Sequence, residues 1–407
     1  MSSLATVYTN ESSSSTIKSS VLSFLPLLVS ILPAQDLTAK GYDHFYNLEF
    51  DQAVEVFRES AAKDAGNANP HNHLAQALLY REMLRSGALE SELVTGTNPF
   101  LRRQKLKVSD DDQKLFESSI AKSMSLTQAA LARKADDVDA MYALGVAHGL
   151  RGNFNFLVRK SWTEALRDIT ASRKLHQRVT QLRPSLHDAR LVQGVHDYVV
   201  GSLPFTYKML GFIVGFRGDK EGGIRTLQAV ASQGTINRTD AKVLLCIAYR
   251  RERRPADAIP LLKTLLADYP RNYLFRLEMV QMYGDMGDKQ KALDTLVELD
   301  KLKAAATPGL AALPAEKINA SRGTLLFWYR DYDGAITELR KAAAKAKDLD
   351  LNTASMALLR LGQCYDMKQQ RAQALESYRA ALALAPDSDA ARQARNYVSS
   401  PYKRGKE

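Results

Sequence analysis

The stretch LRLGQCYDMKQQRAQALESYRAALALAP, residues 359–386, decides the fold class. Gly362 and Ala374 are small residues twelve positions apart, and Tyr378 follows one helical turn after the alanine. A small residue on one helix lets a second helix approach closely, a large one fills the remaining space, and proline ends the second helix, here at Pro386. The stretch therefore predicts a helix-turn-helix unit.

The same spacing recurs along the C-terminal half of the chain. Residues 244–270 place a tyrosine, an alanine, a leucine and a proline at matching offsets, and residues 279–296 repeat most of the pattern. The equivalent alanines are Ala258, Ala292 and, after longer intervals, Ala335 and Ala374. A recurring unit of this length predicts a repeat architecture rather than a single globular core.

The unit resembles the tetratricopeptide repeat, whose signature is a Leu-Gly pair, a tyrosine, spaced alanines around an aromatic residue, and a closing proline. The residues that match it best are Leu361, Gly362, Tyr365, Ala374, Tyr378, Ala381 and Pro386. The whole chain is also similar to bacterial proteins of this family that carry an N-terminal export signal. The resemblance implies an all-α, right-handed α-solenoid of about eight repeats that binds proteins and is not an enzyme.

The N-terminal half follows the same plan less regularly. Gly41 and Phe57 belong to a first unit, Gly145 begins a third, and in the fourth Gly194 is followed by Gly223 at the alanine position. We expect a signal peptide at residues 1–34 and degenerate repeats at 35–236. Regular repeats should follow at 237–386, and a capping helix with a basic tail at 387–407.

Repeats two to four carry insertions between their two helices, at 88–111, 150–162 and 199–218. Insertions at the same point of successive repeats emerge on one face of a solenoid, often the face that binds. In repeat three, Ala165 and Ser172 could each take the alanine position.

The family resemblance also implies which side chains face the concave groove, because first helices line that side. Two residues per first helix, one and four positions after the glycine, should point inwards, which gives an apolar N-terminal half and a more polar C-terminal half. The predicted groove residues are Tyr42, Phe45, Tyr142, Tyr198, Arg250, Gln281, Thr324 and Gln363. The polar half suits hydrogen bonding to an extended peptide.

The third insertion begins in a run of nineteen residues, 198–216, whose only charge is Lys208. Such a run either packs over the groove, contacts a membrane or partner, or spans a bilayer. In the first two cases the contacts would be made by Phe205, Tyr207, Phe212 and Phe216. A lipid- or membrane-associated accessory factor is accordingly the alternative to a protein-binding scaffold.

The N-terminus predicts export. The apolar run VLSFLPLLVSILPA, residues 21–34, fits the hydrophobic region of a signal peptide cleaved after Ala34, and it is too short to span a bilayer comfortably. We expect a periplasmic protein. The alternative is a disordered tail on a cytoplasmic protein.

Little in the chain predicts catalysis, a cofactor or a metal. The net charge of +11 is spread along the sequence, and its densest clusters, 102–107 and 250–254, lack the interleaved aromatics of single-strand binders, so nucleic acid is an unlikely partner. His71 and His73 should point to different sides of their helix, and the two cysteines fit buried free thiols. Asp219, in an Arg-Gly-Asp tripeptide, is interpreted as a helix cap.

Overall fold

The computed structural model describes residues 34–89, 105–203, 218–311 and 313–404. These residues form seventeen α-helices joined by turns, and the described ranges contain no strand. The helices are α1 (Ala34–Tyr46), α2 (Phe50–Lys63), α3 (Ala68–Arg85), α4 (Asp110–Arg133), α5 (Val138–Phe154), α6 (Trp162–Leu182), α7 (Leu191–Gly201), α8 (Lys220–Gln233), α9 (Arg238–Arg251), α10 (Pro255–Asp268), α11 (Tyr273–Asp285), α12 (Lys289–Ala304), α13 (Ala315–Trp328), α14 (Tyr332–Ala344), α15 (Leu351–Met367), α16 (Arg371–Leu384) and α17 (Asp389–Ser399).

Consecutive helices pair, α1 with α2 through to α15 with α16, and α17 closes the series. First helices of neighbouring pairs also touch, as α3 does with α5, α11 with α13, and α13 with α15. Because each pair packs on its neighbours, the buried hydrophobic residues form several clusters along the array rather than one central core. This confirms the predicted all-α solenoid.

Within a pair, the small residue of the first helix faces a large residue of the second. A Cβ added at Gly362 would collide with the ring of Tyr378, and one at Gly41 would collide with Phe57. Tyr378 and Phe57 are both fully buried. The complementarity predicted from the spacing is therefore the contact that holds the two helices together.

Five pairs use the same left-handed turn between their helices. The residue just before the second helix's N-cap has a positive φ, and the N-cap N–H donates to the carbonyl five residues back, as Gln370 does to Tyr365 at 2.8 Å. This pattern is a Schellman turn. The positive-φ residues are Leu48, Arg253, Gly287, Arg330 and Gln369.

Gln369→Gly should raise the free energy of unfolding by about 0.5–1 kcal/mol, because glycine adopts φ near +61° without the strain that a Cβ imposes. Gly287→Ala is the matched control at the equivalent turn, where an added Cβ meets nothing within 4 Å, and should lower stability by a similar amount. Chemical denaturation measures both. Changes of the same sign in the two variants would contradict this account of the turn.

The register of repeat three is resolved by Gly145, which faces His176. In the regular pairs the glycine faces the residue four positions after the repeat alanine, so Ser172, not Ala165, takes the alanine position here. Both helices are longer than usual, and a π-helical segment, Asn155–Arg159, connects them. The extra residues lengthen the two helices.

The first two insertions contact each other. The Leu106 N–H donates to the Leu157 carbonyl at 3.0 Å. Arg159 of the second insertion also pairs with Glu117 of α4, the helix that follows the first insertion, at 2.7 Å. The third insertion lies mostly outside the described residues, but its two ends meet, since a Cβ on Gly218 would collide with the backbone of Gly201.

Candidate functional site

The first helices of the pairs surround a cavity of about 1200 Å³ on the concave side of the solenoid. Six of the eight predicted groove residues line it, namely Tyr42, Phe45, Tyr142, Tyr198, Gln281 and Thr324. Aromatic and aliphatic side chains dominate the N-terminal part of the wall, whereas Ser321 and Lys317 accompany Gln281 and Thr324 in the C-terminal part.

The structure places the remaining two predicted groove residues behind the wall. Gln363 is 1% exposed and accepts a hydrogen bond from Arg360. Arg250 donates to Gln281 at 3.0 Å and pairs with Asp285, so it orients a lining residue without lining the cavity itself. Arg250 is held by side chains of the next pair of helices, and Gln363 is buried within the last pair, so neither lines the cavity.

The concave side is closed by a contact between the first pair and the turn that joins α10 to α11. Arg271 pairs with Asp43 at 2.6 Å and with Glu49 at 2.8 Å, and its N–H donates to Asn47 Oδ1. Asn272 donates to the Tyr46 carbonyl at 2.7 Å. These residues are more than 220 positions apart in the chain, so their contact partly closes the groove of the predicted solenoid into a cavity.

A second contact crosses the concave side between the end of α3 and the start of α15. Gly87 has φ of +75° and lies against the Asp350 carboxylate, where any side chain would collide. Asp350 in turn pairs with Lys317 at 2.6 Å, and both side chains are nearly fully buried. Burial acts to raise the pKa of Asp350. The hydrogen bonds from Lys317 and Thr353 outweigh burial and hold this pKa below its usual range.

Asp240, in the first turn of α9, lies at the aromatic part of the cavity wall. It is hydrogen-bonded to the Tyr46 hydroxyl, and burial raises the pKa of its carboxyl from 3.8 to about 6. Its charge acts to raise the pKa of five tyrosines around it. In three of them it is the largest cause after burial, whereas in Tyr142 and Tyr269 other neighbours contribute more. The five tyrosines are Tyr42, Tyr46, Tyr80, Tyr142 and Tyr269.

Several polar atoms of lining residues are buried and have no hydrogen-bond partner within the described ranges. Three of them are Asn72 Oδ1, His73 Nδ1 and Ser172 Oγ. Burial lowers the pKa of His73 to about 4, so its ring is neutral at neutral pH. Buried polar atoms are normally satisfied, and these three are available to a bound molecule or to water.

The other residues singled out in the sequence have structural contacts. His73 faces the cavity while His71 approaches the Ala65 carbonyl, so the two rings diverge as predicted. Asp219 accepts a hydrogen bond from the Gly222 N–H at 2.9 Å, which confirms it as the cap of α8. Cys246 and Cys364 are buried free thiols, as predicted.

A buried cluster between α5 and α6 contains residue types that are common in active sites, but its side chains bind one another and hold the two helices together. Asp168 accepts hydrogen bonds from His148 at 2.9 Å, from Arg151 at 2.6 and 2.8 Å, and from Asn155 at 3.2 Å. Burial acts to raise the pKa of Asp168, but the bonds from Arg151 and His148 outweigh it and lower the pKa. The carboxylate joins the two long helices of repeat three.

Several predictions concern residues outside the ranges that the structure describes. Phe205, Tyr207, Phe212 and Phe216 lie in the undescribed part of the third insertion, and the predicted signal peptide lies almost wholly before Ala34. Among the helices that the structure describes, none is both long and apolar enough to cross a bilayer. The described part of the chain also contains no group of three or more side chains placed to hold a metal ion.

Sequence reasoning missed the most distinctive residue of the cavity, Asp240. An acidic residue in the first turn of a helix is usual on an exposed surface, where it interacts with the helix dipole. Sequence reasoning also missed Tyr46, Tyr80 and Tyr269. Tyr269 meets Tyr46 only through the long-range contact that closes the concave side. No local pattern could have indicated this cluster.

Replacing Asp240 by asparagine should remove a pH dependence of stability. A carboxyl whose pKa is raised on folding contributes stability below pH 3.8, and this contribution is lost as the pH rises through about 6. The shift of about two units corresponds to about 3 kcal/mol. The difference in unfolding free energy between Asp240→Asn and the wild type should therefore change by up to that amount between pH 4 and pH 8. A constant difference would show that Asp240 is not shifted.

Comparison with known proteins identifies the repeat type in one segment. Residues 355–388 match the family model of the tetratricopeptide repeat, and this segment comprises most of α15, all of α16 and the turn after it. No curated protein sequence matches the chain. The match supports the repeat type that the spacing of Gly362, Ala374 and Tyr378 indicates.

Three solved structures resemble this one at low sequence identity. A chain of the APC/C hetero-tetramer Cut9-Hcn1 aligns with 90% of this chain and 55% of its own length, at a TM-score of 0.48 and 12% identity. Yeast Tom70 aligns over 90% and 95%, with a TM-score of 0.38 and 12% identity. Human IFIT1, solved as a dimer with PPP-AAAA, aligns over 88% and 92%, with a TM-score of 0.32 and 13% identity. This chain thus spans about half the length of the Cut9-Hcn1 chain.

Proposed function

We propose that this protein is a non-catalytic scaffold that binds a peptide or helical segment of a partner protein in its concave cavity, in the bacterial envelope. The observation that carries the proposal is the convergence of first helices from most repeats on one cavity of about 1200 Å³. The tetratricopeptide match at residues 355–388 supports the same class of function.

The wall of the cavity suits a peptide because its two parts offer different contacts. Tyr42, Phe45 and Tyr198 provide large apolar surfaces of the kind that anchor a partner's side chain. Gln281 and Thr324 provide side-chain hydrogen bonds for an extended backbone. The contacts of Asp168 support the non-catalytic part of the proposal. Asp168 accepts hydrogen bonds from His148 and Arg151 between two packed helices, so these residues serve the packing of repeat three.

Photo-crosslinking tests the occupant. A crosslinking amino acid such as p-benzoylphenylalanine at Thr324, in the cavity wall, should yield a discrete adduct in cells that mass spectrometry identifies as a polypeptide. The control position is Val297 on the outer helix α12, whose side chain is 46% exposed. Equal crosslinking at both positions, or an adduct at Thr324 that is not a polypeptide, would refute a peptide in the cavity.

A lipid is the second candidate occupant, and the mostly apolar wall of the cavity favours it. In that case solvent extraction of the purified protein should release a stoichiometric lipid, and Thr324 should give no polypeptide adduct. Contact with a membrane through residues 198–216 is a separate question. Liposome flotation of residues 35–407, with and without Phe212→Ser and Phe216→Ser, answers it, because flotation by the wild type alone would mark a membrane contact.

The envelope location is supported by the apolar run at residues 21–34 and by the small residue at its end, Ala34. We expect the protein isolated from its native host to begin near Gln35 and to lack the mass of the first 34 residues. Intact-mass spectrometry of the native protein measures this. A full-length mass in a soluble fraction free of periplasmic markers would contradict export.

A further inference from the structure

We propose that the aromatic part of the cavity is a site for an organic cation, in which Asp240 receives the Lys or Arg side chain of the bound segment and the surrounding tyrosines enclose it. The inference rests on the proposed function for the identity of the occupant. The preference for a positive charge stands on the wall itself and can be measured without the natural partner.

Two carboxylates of the wall, Asp64 and Asp240, have no Lys or Arg partner among the described residues. Asp64 accepts a hydrogen bond from the Asn67 side chain at 2.9 Å in an exposed position, whereas Asp240 lies at the aromatic part of the wall. The other charges are paired. Asp139 pairs with Arg183 at 2.7 Å, and Lys317 pairs with Asp350 at 2.6 Å. Glu278 lies 3.7 Å from Arg250. Asp240 has a tyrosine hydroxyl as its partner, and the described residues include no Lys or Arg paired with it.

Burying a carboxylate without a positive partner is costly, and the cost appears in the raised pKa of Asp240, about 6. At pH 7.5 most molecules nevertheless hold the carboxylate ionised. A cation bound beside it would offset this cost, whereas an anion would add to it. The wall therefore selects for positive charge.

The tyrosine rings add a second source of selectivity. Tyr46 stacks on Tyr42 with ring centroids 5.7 Å apart and lies 4.9 Å from Tyr269. Phe45 lies 5.8 Å from Tyr42 and 5.0 Å from Tyr80. Aromatic faces attract ammonium and guanidinium groups, most strongly where water is excluded.

The titratable groups around Asp240 do not compete for this role. They are the tyrosines of α1, α3 and α5 and Tyr269 after α10, and each has a raised pKa. All five phenols are neutral at physiological pH, and so is His73, whose ring lies 5.0 Å from Tyr42. The charges of Asp188, Asp43 and Asp268 also act on Tyr142 or Tyr269, but Asp43 pairs with Arg271, Asp268 with Lys242, and Asp188 accepts hydrogen bonds from the turn after α8. Asp240 is therefore the carboxylate of this cluster that a bound cation could pair with. Cation binding should therefore weaken as the pH falls below about 6 and Asp240 takes up a proton.

Isothermal titration with three amphiphiles that share one chain tests the site. The probes are octyltrimethylammonium, octyl glucoside and octyl sulfate, each below its micellar concentration, with the full chain at pH 7.5. We expect octyltrimethylammonium to bind at least tenfold more tightly than the other two. Comparable dissociation constants for the three probes, or no binding of the cation, would overturn the proposal.

Two variants that remove the same charge locate the effect. Asp240→Asn should weaken octyltrimethylammonium binding at least tenfold, while Asp139→Asn, at a paired and largely exposed carboxylate of the same wall, should change it less than about twofold. Equal losses would indicate general electrostatic attraction and overturn the assignment to Asp240. Thermal unfolding of both variants confirms that they are folded.

The two proposals fail in distinguishable ways. A lipid adduct at Thr324 with intact cation selectivity refutes the peptide occupant but leaves the cation site. A polypeptide adduct with no dependence on Asp240 refutes the cation site but leaves the scaffold.

Discussion

Asp188→Ala is expected to lower the free energy of unfolding by about 3–4 kcal/mol, because it removes a buried charged acceptor that several donors share. Asp188 precedes α7 and is 2% exposed. Its Oδ1 accepts the N–H groups of Thr235, Ile236 and Asn237 at 3.0, 2.9 and 2.7 Å, and its Oδ2 accepts the Thr235 hydroxyl at 3.2 Å. The carboxylate thus holds the turn between α8 and α9 against the preceding pair.

The substitution should also disturb the cavity. Asn237, whose N–H binds Asp188, donates through its side chain to the Tyr142 hydroxyl at 2.8 Å. Urea denaturation of Asp188→Ala, compared with Asp257→Ala, measures the effect. Asp257 pairs with Arg254 on the surface, and its loss should cost less than 1 kcal/mol. Equal costs in the two variants would show that the turn does not depend on Asp188.

Gly223→Ala should lower the free energy of unfolding by about 2–3 kcal/mol, although alanine is the better helix former by about 1 kcal/mol. Gly223 lies on α8 where the backbone of α7 passes closest. An added Cβ would collide with the Tyr198 backbone N and lie 2.8 Å from the Gly194 carbonyl oxygen. Backbone atoms cannot turn aside as a side chain can, so the two helices must move apart.

The shift would also reach the cavity, since Tyr198 lines it and is 4% exposed. The control is Gly66→Ala, because a Cβ at Gly66 meets nothing within 4 Å. Denaturant titration should show a loss at Gly223 and a change within about 0.5 kcal/mol at Gly66. A neutral or stabilising Gly223→Ala would mean that α7 and α8 are not held at this separation.

Gly223 also illustrates how far spacing alone can predict the fold. Its position matches the repeat alanine, so the fourth unit could be recognised in the sequence. Regular units have a fully buried alanine there, as at Ala374, because their helices leave room for one Cβ. The closer approach of α7 to α8 is a property of the three-dimensional packing. The need for glycine at position 223 is therefore explained only when the separation of these two helices is known.

The candidate site shows the same division. Tyr42, Phe45 and Thr324 were predicted as lining residues because each repeat orients its first helix in the same way. Gln363 was predicted to line the groove in the same way, but it lies in the last pair of the array, where α17 packs on α15, and its side chain is buried. Position within the array, which the local pattern does not specify, decides whether an equivalent residue meets the cavity.

By itself the sequence determined the helix pairs, their order and the small-to-large contacts within each pair. These features depend on residues fewer than about 40 positions apart, so the information that specifies them is local. Only the tertiary structure decided that Arg271 meets Asp43 and Glu49, that Asp240 lies among five tyrosines, and that a groove becomes a cavity. The reason is physical: the closure results from the small rotation between successive pairs, added over more than 220 residues, and no single repeat contains that sum.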